Sequence, residues 1–289
     1  MKILIIGGDS RSKALAQGLA KDGFYVRTYA LDIECQIKSK EELLLGIGEY
    51  DIIVLPLPAT RDGIYICSQG DCEKIPVTDL LTRAKSSAFI LAGKVSAAFK
   101  RKANDFGLRV IDYYADEHFT DKNAYITAEG AIKIVMYSLQ KTMRDSNHLI
   151  IGGGRIAKHL FTLLRGFGAS VTLCCRDLHD IRWAQLLGAE AVDLLGESEL
   201  IENAVASADV IYNTVPEKVI PDSAFAQARK GVQYIELVGD EALISPVIAQ
   251  SGAVYSCEKG LPARYAPESA GMLLHKVISE IIRERIEKR

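Results

Sequence analysis

Residues 148–160 read H-L-I-I-G-G-G-R-I-A-K-H-L. A short apolar run ends in three glycines, and a pattern of helical period starts directly after them. Gly152, Gly154 and Ala157 fall in the spacing G-x-G-x-x-A, with Gly153, Arg155 and Ile156 between. Each small residue has a task in such a turn. The first permits the tight bend, the second lets the backbone approach a pyrophosphate, and the third keeps the helix close to the sheet. The helix then turns its N-terminal N–H groups toward phosphate. The run G-A-S-V-T-L-C-C-R-D over 168–177 supplies a second strand at the expected remove, so the stretch predicts a Rossmann dinucleotide site. The competing reading is a glycine turn that merely closes a βα unit.

The end of that second strand bears on which nicotinamide dinucleotide is bound. NAD-selective sites place an Asp or Glu there to accept the ribose 2′-hydroxyl. This chain has Cys175, followed by Arg176, whose guanidinium suits a 2′-phosphate and favours NADP. Asp177, turned inward, would allow NAD instead. Further on, A-D-V-I-Y-N-T-V-P predicts a strand over 210–213 whose C-terminal end faces the ligand crevice. Asn213, Thr214 and Pro216 are therefore candidates to line the nicotinamide half of the groove, unless they simply close a Pro-terminated strand.

Apolar runs alternate with helical patterns along the whole chain, which predicts an α/β fold of two doubly wound parallel-sheet domains, the C-terminal one a Rossmann domain. Strands are expected over 2–6, 25–29, 51–55, 88–91 and 109–112, with helices over 11–21 and 96–105. These make a flavodoxin- or Rossmann-like substrate domain over 1–125. A helix over 126–144, capped by Thr127, crosses to the dinucleotide domain of 145–266. A last helix over 267–289, with Pro267 near its start, is expected to pack back on the first domain.

A chain of 289 residues with 48% hydrophobic and 25% charged residues can bury two ordinary cores. Thirty-five Lys and Arg against 37 Asp and Glu give a net charge of -2, so no basic field is available for nucleic acid. No apolar run reaches membrane-spanning length, and the opening strand carries no leader, which predicts a soluble cytoplasmic protein. The six cysteines form no C-x-x-C pair and read as reduced core thiols. The five histidines show no metal-ligand spacing, and no G-x-S-x-G elbow is present.

At the start of the first domain, I-I-G-G-D-S-R-S imitates a nucleotide loop but lacks its spacing, and Asp9 sets a carboxylate where phosphate would lie. Arg11 opens a helix and suits a substrate carboxylate; the other reading is a solvated helix Arg. L-P-L-P-A-T over 55–60 ends a strand at the sheet edge where clefts form, with Thr60 offering a hydroxyl.

Taken together, these segments resemble the family of dipicolinate synthase A subunits over nearly the whole chain. The resemblance rests on I-G-G-D-S-R (6–11), L-P-L-P-A-T (55–60), the Glu129-Gly130 pair read as opening the crossing helix, G-G-G-R-I-A (152–157) and G-L-P-A-R-Y-A-P-E-S-A-G (260–271). The last segment is the most distinctive. The resemblance implies oxidation of a dihydropyridine dicarboxylate from the lysine pathway to pyridine-2,6-dicarboxylate during spore formation, with NADP taking the hydride. It also implies a homo-oligomer with a flavoprotein-like second subunit. The architecture implied is that of formate and glycerate dehydrogenases, with the active site between domains. The chain departs from the family in one place. The family's Ser-Arg-Pro-Gly-Gly loop corresponds to E-L-V-G-D-E-A over 236–242, where Asp240 replaces the arginine. Arg264 is the candidate replacement cation. The altered loop leaves two other functions open: a dehydrogenase for another small hydroxy or amino acid, and a non-catalytic NADP-binding subunit. Glu129 is the candidate acid or base, if burial raises its pKa, or else a helix cap.

Overall fold

Strand β1 (Lys2–Ile6) is K-I-L-I-I, and every side chain after the first is buried. A strand buried on both faces belongs to the interior of a parallel sheet covered by helices on both sides. A computed structural model describes residues 1–31, 35–68, 72–238 and 244–286, and in it the chain forms two parallel-sheet α/β units. One comprises Met1–Asn123 with Pro262–Arg289, the other Ala124–Leu261.

In the first unit, β1 is followed by α1 (Ser10–Lys21), β2 (Tyr25–Tyr29), α2 (Lys40–Gly46), β3 (Ile52–Val54), α3 (Val77–Arg83), β4 (Phe89–Ala92), α4 (Ala97–Asp105) and β5 (Arg109–Asp112). The strand order is β2-β1-β3-β4-β5, all parallel. Alternate residues of β1 supply the two faces of the sheet. Leu4 and Ile6 join Leu43 of α2, Leu80 of α3 and Phe99 of α4. Ile3 and Ile5 join Leu15 and Leu19 of α1 on the other face. That second face also takes Leu274, Val277 and Ile278 from the C-terminal helix α12 (Pro267–Ile281).

Between the sheets in sequence runs α5 (Glu117–Ser138). It starts nine residues before the expected helix, because Asp116 supplies the cap: Phe119 N–H donates to Asp116 Oδ1 at 2.7 Å. Thr127 and Glu129 therefore lie inside the helix, and neither caps it.

The second unit holds β6 (Asn147–Ile151), α6 (Arg155–Gly166), β7 (Ser170–Cys175), α7 (Leu178–Leu186), β8 (Glu190–Asp193), α8 (Ser198–Ser207) and β9 (Val210–Asn213). It continues through α9 (Asp222–Phe225), β10 (Gln233–Glu236), α10 (Pro246–Gln250) and β11 (Val254–Cys257). The order is β11-β10-β9-β6-β7-β8, parallel throughout. The short helix α11 (Leu261–Tyr265) then leads to α12 (Pro267–Ile281), with Pro267 in its first turn. No described helix is long and apolar enough to cross a membrane. Cys174 and Cys175 are buried in β7; Cys35 and Cys257 are half-buried and pack against the cores of their units, whereas Cys67 is half-buried on a loop and Cys72 is exposed, so not all six are core thiols.

α1 and α12 cross through small residues. A side chain on Gly271 would run into Ala14, and one on Gly18 would meet the His275 ring, whose Nε2 lies 2.8 Å from Asp22 Oδ2. Overpacking such a contact forces backbone shifts. Gly271→Leu is expected to cost roughly 1–3 kcal/mol, read as a lower urea midpoint, and Ala14→Gly in the same chain should recover part of it.

A buried polar chain crosses β6. Ser146 Oγ donates to Met143 O at 2.8 Å and lies 2.8 Å from His148 Nε2, while Tyr212 OH lies 3.3 Å from Nδ1. With Ser146 donating onward, Nε2 carries the proton and Nδ1 accepts from Tyr212, so the neutral imidazole satisfies both neighbours. Burial lowers the His148 pKa from 6.5 to about 4, against the pull of Asp209. The unfolded chain therefore takes up a proton near pH 6.5 that the folded one refuses until about pH 4. This contribution is fully present above pH 6.5 and is lost as the pH falls toward 4. Its size is about 3 kcal/mol. Urea titrations across that window should show wild type losing stability relative to His148→Phe by an amount of that order.

Candidate functional site

In the second unit the chain order reverses at β6, whose neighbours are β7 and β9. Helices leave on opposite faces at such a point, so the C-terminal strand ends border an open crevice. Gly152 opens the glycine turn there with φ +112, where a Cβ would collide with Thr214. Gly153 is half-buried, and Gly154 is the cap residue of α6, exposed, with nothing near the place of a Cβ and no side chain to offer the first helical N–H groups. Ala157 is fully buried beneath the turn. The loop thus fits a dinucleotide pyrophosphate: an open backbone surface and a helix N-terminus without a side-chain cap. Arg155 is exposed and Ile156 half-buried in the first turn of that helix.

Across the crevice, Thr214 donates through Oγ1 to Ile151 O at 2.8 Å and through its backbone N–H to the same oxygen at 3.0 Å. Asn213 is buried and donates through Nδ2 to Val215 O at 3.0 Å and to Glu236 Oε2 at 2.6 Å. Val215 N–H returns a bond to Asn213 Oδ1 at 3.2 Å. Asn213 therefore shapes the loop after β9 rather than presenting its amide to a ligand. Pro216 is exposed beyond it. Glu236, which is not among the candidates read from the sequence, is fully buried at the end of β10 and also accepts from Val238 N–H at 3.1 Å. Its signal is a lone acid at the end of an apolar strand. The Asp240 substitution in 238–242 falls, past Val238, outside the described residues.

The residues at the end of β7 are not arranged as the sequence suggested. The Cys175 thiol is buried, turned toward Gly152 O at 3.5 Å and pushed up to about 11 by that burial. Arg176 is exposed and reaches Glu217 at 3.3 Å. Asp177 does not turn inward, because its side chain caps α7 through His179 N–H at 2.7 Å. The acid nearest the glycine loop is Asp180, one turn later, ion-paired with Lys158 at 2.7 Å.

In the first unit the order reverses between β1 and β3, and a cavity of about 400 Å³ opens at that point. Gly8 and Asp9 line it from the end of β1 and residues 56–58 from the end of β3, with a cis Leu57–Pro58 bond. Arg61, Tyr65 and Lys74 come from the long excursion before α3. Lys74 Nζ lies 5.7 Å over the Tyr65 ring. Both cations are exposed.

Arg11 is neither a solvated Arg nor one facing a ligand. It is buried, holds Asp9 through Nε at 2.9 Å and Nη2 at 2.6 Å, and donates to Leu57 O at 3.2 Å. Burial opposes its charge, but the bonds and charge of Asp9 outweigh that, so its pKa stands above the ordinary arginine value. It ties the β1 turn to the 55–60 turn. Thr60 is spent inside its own loop, donating to Asp62 Oδ1 at 3.1 Å and accepting from Gly63 N–H at 2.8 Å. Arg264 lies exposed on α11 with its guanidinium 5.3 Å from the Tyr265 ring centroid, and neither it nor Thr60 lines the cavity. Glu129 is exposed on α5 and accepts from Tyr125 OH at 3.4 Å, so it lacks the burial that would tune an acid or base.

Residues 2–114 match the family model that describes the N-terminal domain of the dipicolinate synthase A subunit. The A subunit of dipicolinate synthase from Bacillus subtilis is 22% identical over 308 residues, covering 98% of this chain and 96% of the relative. The crystal structure of the dipicolinate synthase A subunit from Bacillus halodurans superposes with a TM-score of 0.83 at 18% identity, covering 98% of both chains. D-lactate dehydrogenase from Escherichia coli superposes at 0.64 with 16% identity, covering 98% of this chain and 97% of its own. The chain shares the fold of these proteins, two parallel-sheet α/β units; its residues 2–114 match the model of the N-terminal domain of the dipicolinate synthase A subunit, and over 98% of its length it is similar to the A subunit of Bacillus subtilis.

Proposed function

We propose that the chain is a nicotinamide-dependent oxidoreductase that oxidises dihydrodipicolinate to dipicolinate, as the A subunit of a dipicolinate synthase. The observation that carries this reading is the cavity at the first unit's switch point, with Arg61 and Lys74 at its wall. Its volume of about 400 Å³ suits a small ring compound. Two cations match two carboxylates, and Arg61 can grip one of them as a planar fork. The Asp9–Arg11 pair keeps the two turns at fixed spacing and puts Asp9 in the wall.

A bound nicotinamide would supply the hydride acceptor, and aromatisation of the ring would drive the transfer. The glycine loop would hold the pyrophosphate on the first N–H groups of α6, with the Asn213–Glu236 bond fixing the loop opposite. Arg176 makes NADP the first choice from the sequence and NAD the second. Asp177 caps α7, while Arg176 is exposed and its surface pair with Glu217 would have to open for it to meet a 2′-phosphate. The same reading includes a homo-oligomer, a cytoplasmic location and a flavoprotein-like second subunit. The acidic run following Val238 favours one rival, a dehydrogenase of another small hydroxy or amino acid. A non-catalytic subunit would bind the nucleotide and never turn over, even with its partner.

Titration with reduced nicotinamide dinucleotide, followed by fluorescence with and without pyridine-2,6-dicarboxylate, tests the reading. The dicarboxylate should tighten nucleotide binding, and Arg61→Ala or Lys74→Ala should each weaken dicarboxylate binding roughly tenfold, the scale of a charge-assisted hydrogen bond, without lowering the melting temperature. Dicarboxylate binding that survives both substitutions would remove the proposal. Arg11→Met should behave oppositely: it leaves the half-buried Asp9 without its partner and unties Leu57 O, so its unfolding midpoint should drop, by less than the roughly 3–5 kcal/mol of a fully buried pair.

A further inference from the structure

We propose that Asp180 distinguishes the two nicotinamide dinucleotides, accepting the adenosine ribose hydroxyl and so favouring NAD(H) over NADP(H). The inference rests on the reading that the glycine loop holds a dinucleotide. The side chain of Asp180 fills the space in front of Gly153, where any Cβ would collide with it. This is why the middle residue of the triplet has to be glycine. Oδ1 takes the Lys158 ammonium at 2.7 Å, while Oδ2 is the atom nearest Gly153. Lys158 is itself placed, with Nζ 5.3 Å from the Trp183 ring centroid. The carboxylate is therefore held on the loop by a lysine from α6 and an aromatic ring from α7, with 22% of its side chain still exposed.

The usual position for the ribose acceptor is the end of the second strand of such a unit. Here that place is held by a buried thiol turned toward Gly152 O. In this proposal the acceptor sits in the first turn of α7, against Gly153 of the loop. A 2′-phosphate brings close to two negative charges against this carboxylate. Its natural counter-ion, Lys158, is already engaged, and Arg176 faces Glu217 instead.

The test measures dissociation constants for NADH and NADPH by nicotinamide fluorescence on the full chain. Wild type, Asp180→Asn, Glu217→Gln and the double variant Asp180→Asn/Lys158→Gln are compared, with thermal melts to show that each is folded. Wild type should bind NADH more tightly. Asp180→Asn should weaken NADH roughly tenfold, as expected for a hydrogen bond to a charged group, and strengthen NADPH by freeing Lys158, a gain the double variant loses. A wild type that prefers NADPH, or a ratio unmoved by Asp180→Asn, overturns the proposal while leaving the dinucleotide site intact. A ratio that shifts in Glu217→Gln but not in Asp180→Asn overturns it in favour of Arg176. Binding of neither nucleotide by folded wild type overturns both this inference and the function it rests on.

Discussion

Where the order of strands reverses, at β1 and β3 in one unit and at β6 and β9 in the other, the connecting helices diverge to opposite faces and cannot cover the strand ends. The glycine loop, the turn after β9 and the first unit's cavity all follow from that constraint. The paired strands bring Ile151 level with Asn213, so the glycine turn and the loop after β9 emerge side by side. Likewise, Ile5 is level with Val54, and the turns that follow carry Asp9 and Leu57 to one cavity. Apolar burial fixes the strands, and their register fixes which residues face each other at the rim.

What happens at the rim is decided by buried polar pairs. Buried Arg11 with half-buried Asp9, and buried Glu236 with Asn213, are satisfied by partners on neighbouring turns. Such pairs gain little net stability, because desolvation consumes most of the Coulomb attraction. Their effect is geometric: each fixes the distance between two chain segments that the sheet leaves unsupported. A site built this way has rigid walls from buried charges and ligand contacts from exposed ones. The same division explains why Arg11, the charged residue that looked most like a ligand contact, holds the cavity's shape, while the exposed Arg61 and Lys74 are the cations proposed to meet a ligand.

The glycine loop was legible because backbone geometry leaves a mark in sequence. A turn with φ +112 selects glycine, and the helical period after it places the turn at a helix start. Most strands were equally plain, since doubly buried strands read as unbroken apolar runs. The excursion that carries Arg61, Tyr65 and Lys74 has no period, and nothing in the order of its residues says which of them turn toward the β1 loop. The start of α5 was hidden for a similar reason. Asp116 caps it, but the polar run after that residue looks like a loop until the helix is seen to keep those side chains outward. Asp180 was hidden because a ribose acceptor is expected at the strand end, whereas the carboxylate that meets the loop projects from the helix one turn later.

The proposed role of Asp180 would let such a site change its ligand without changing its fold. The strand end is buried, and a charge placed at Cys175 would have to be desolvated before it could meet a ribose. The first turn of α7 is half-open to solvent, so Asp180 carries its charge with Lys158 at far smaller cost. Selectivity placed on the helix instead of the strand can vary with a single exposed residue, while the packing of Cys174 and Leu173 beneath it stays as it is. The same argument applies to the first unit, whose buried strands and Asp9–Arg11 tie set a cavity while the exposed excursion decides what enters it. In both units the fold is held mainly by buried strands, and the groups proposed to choose a ligand lie where substitution costs the fold least.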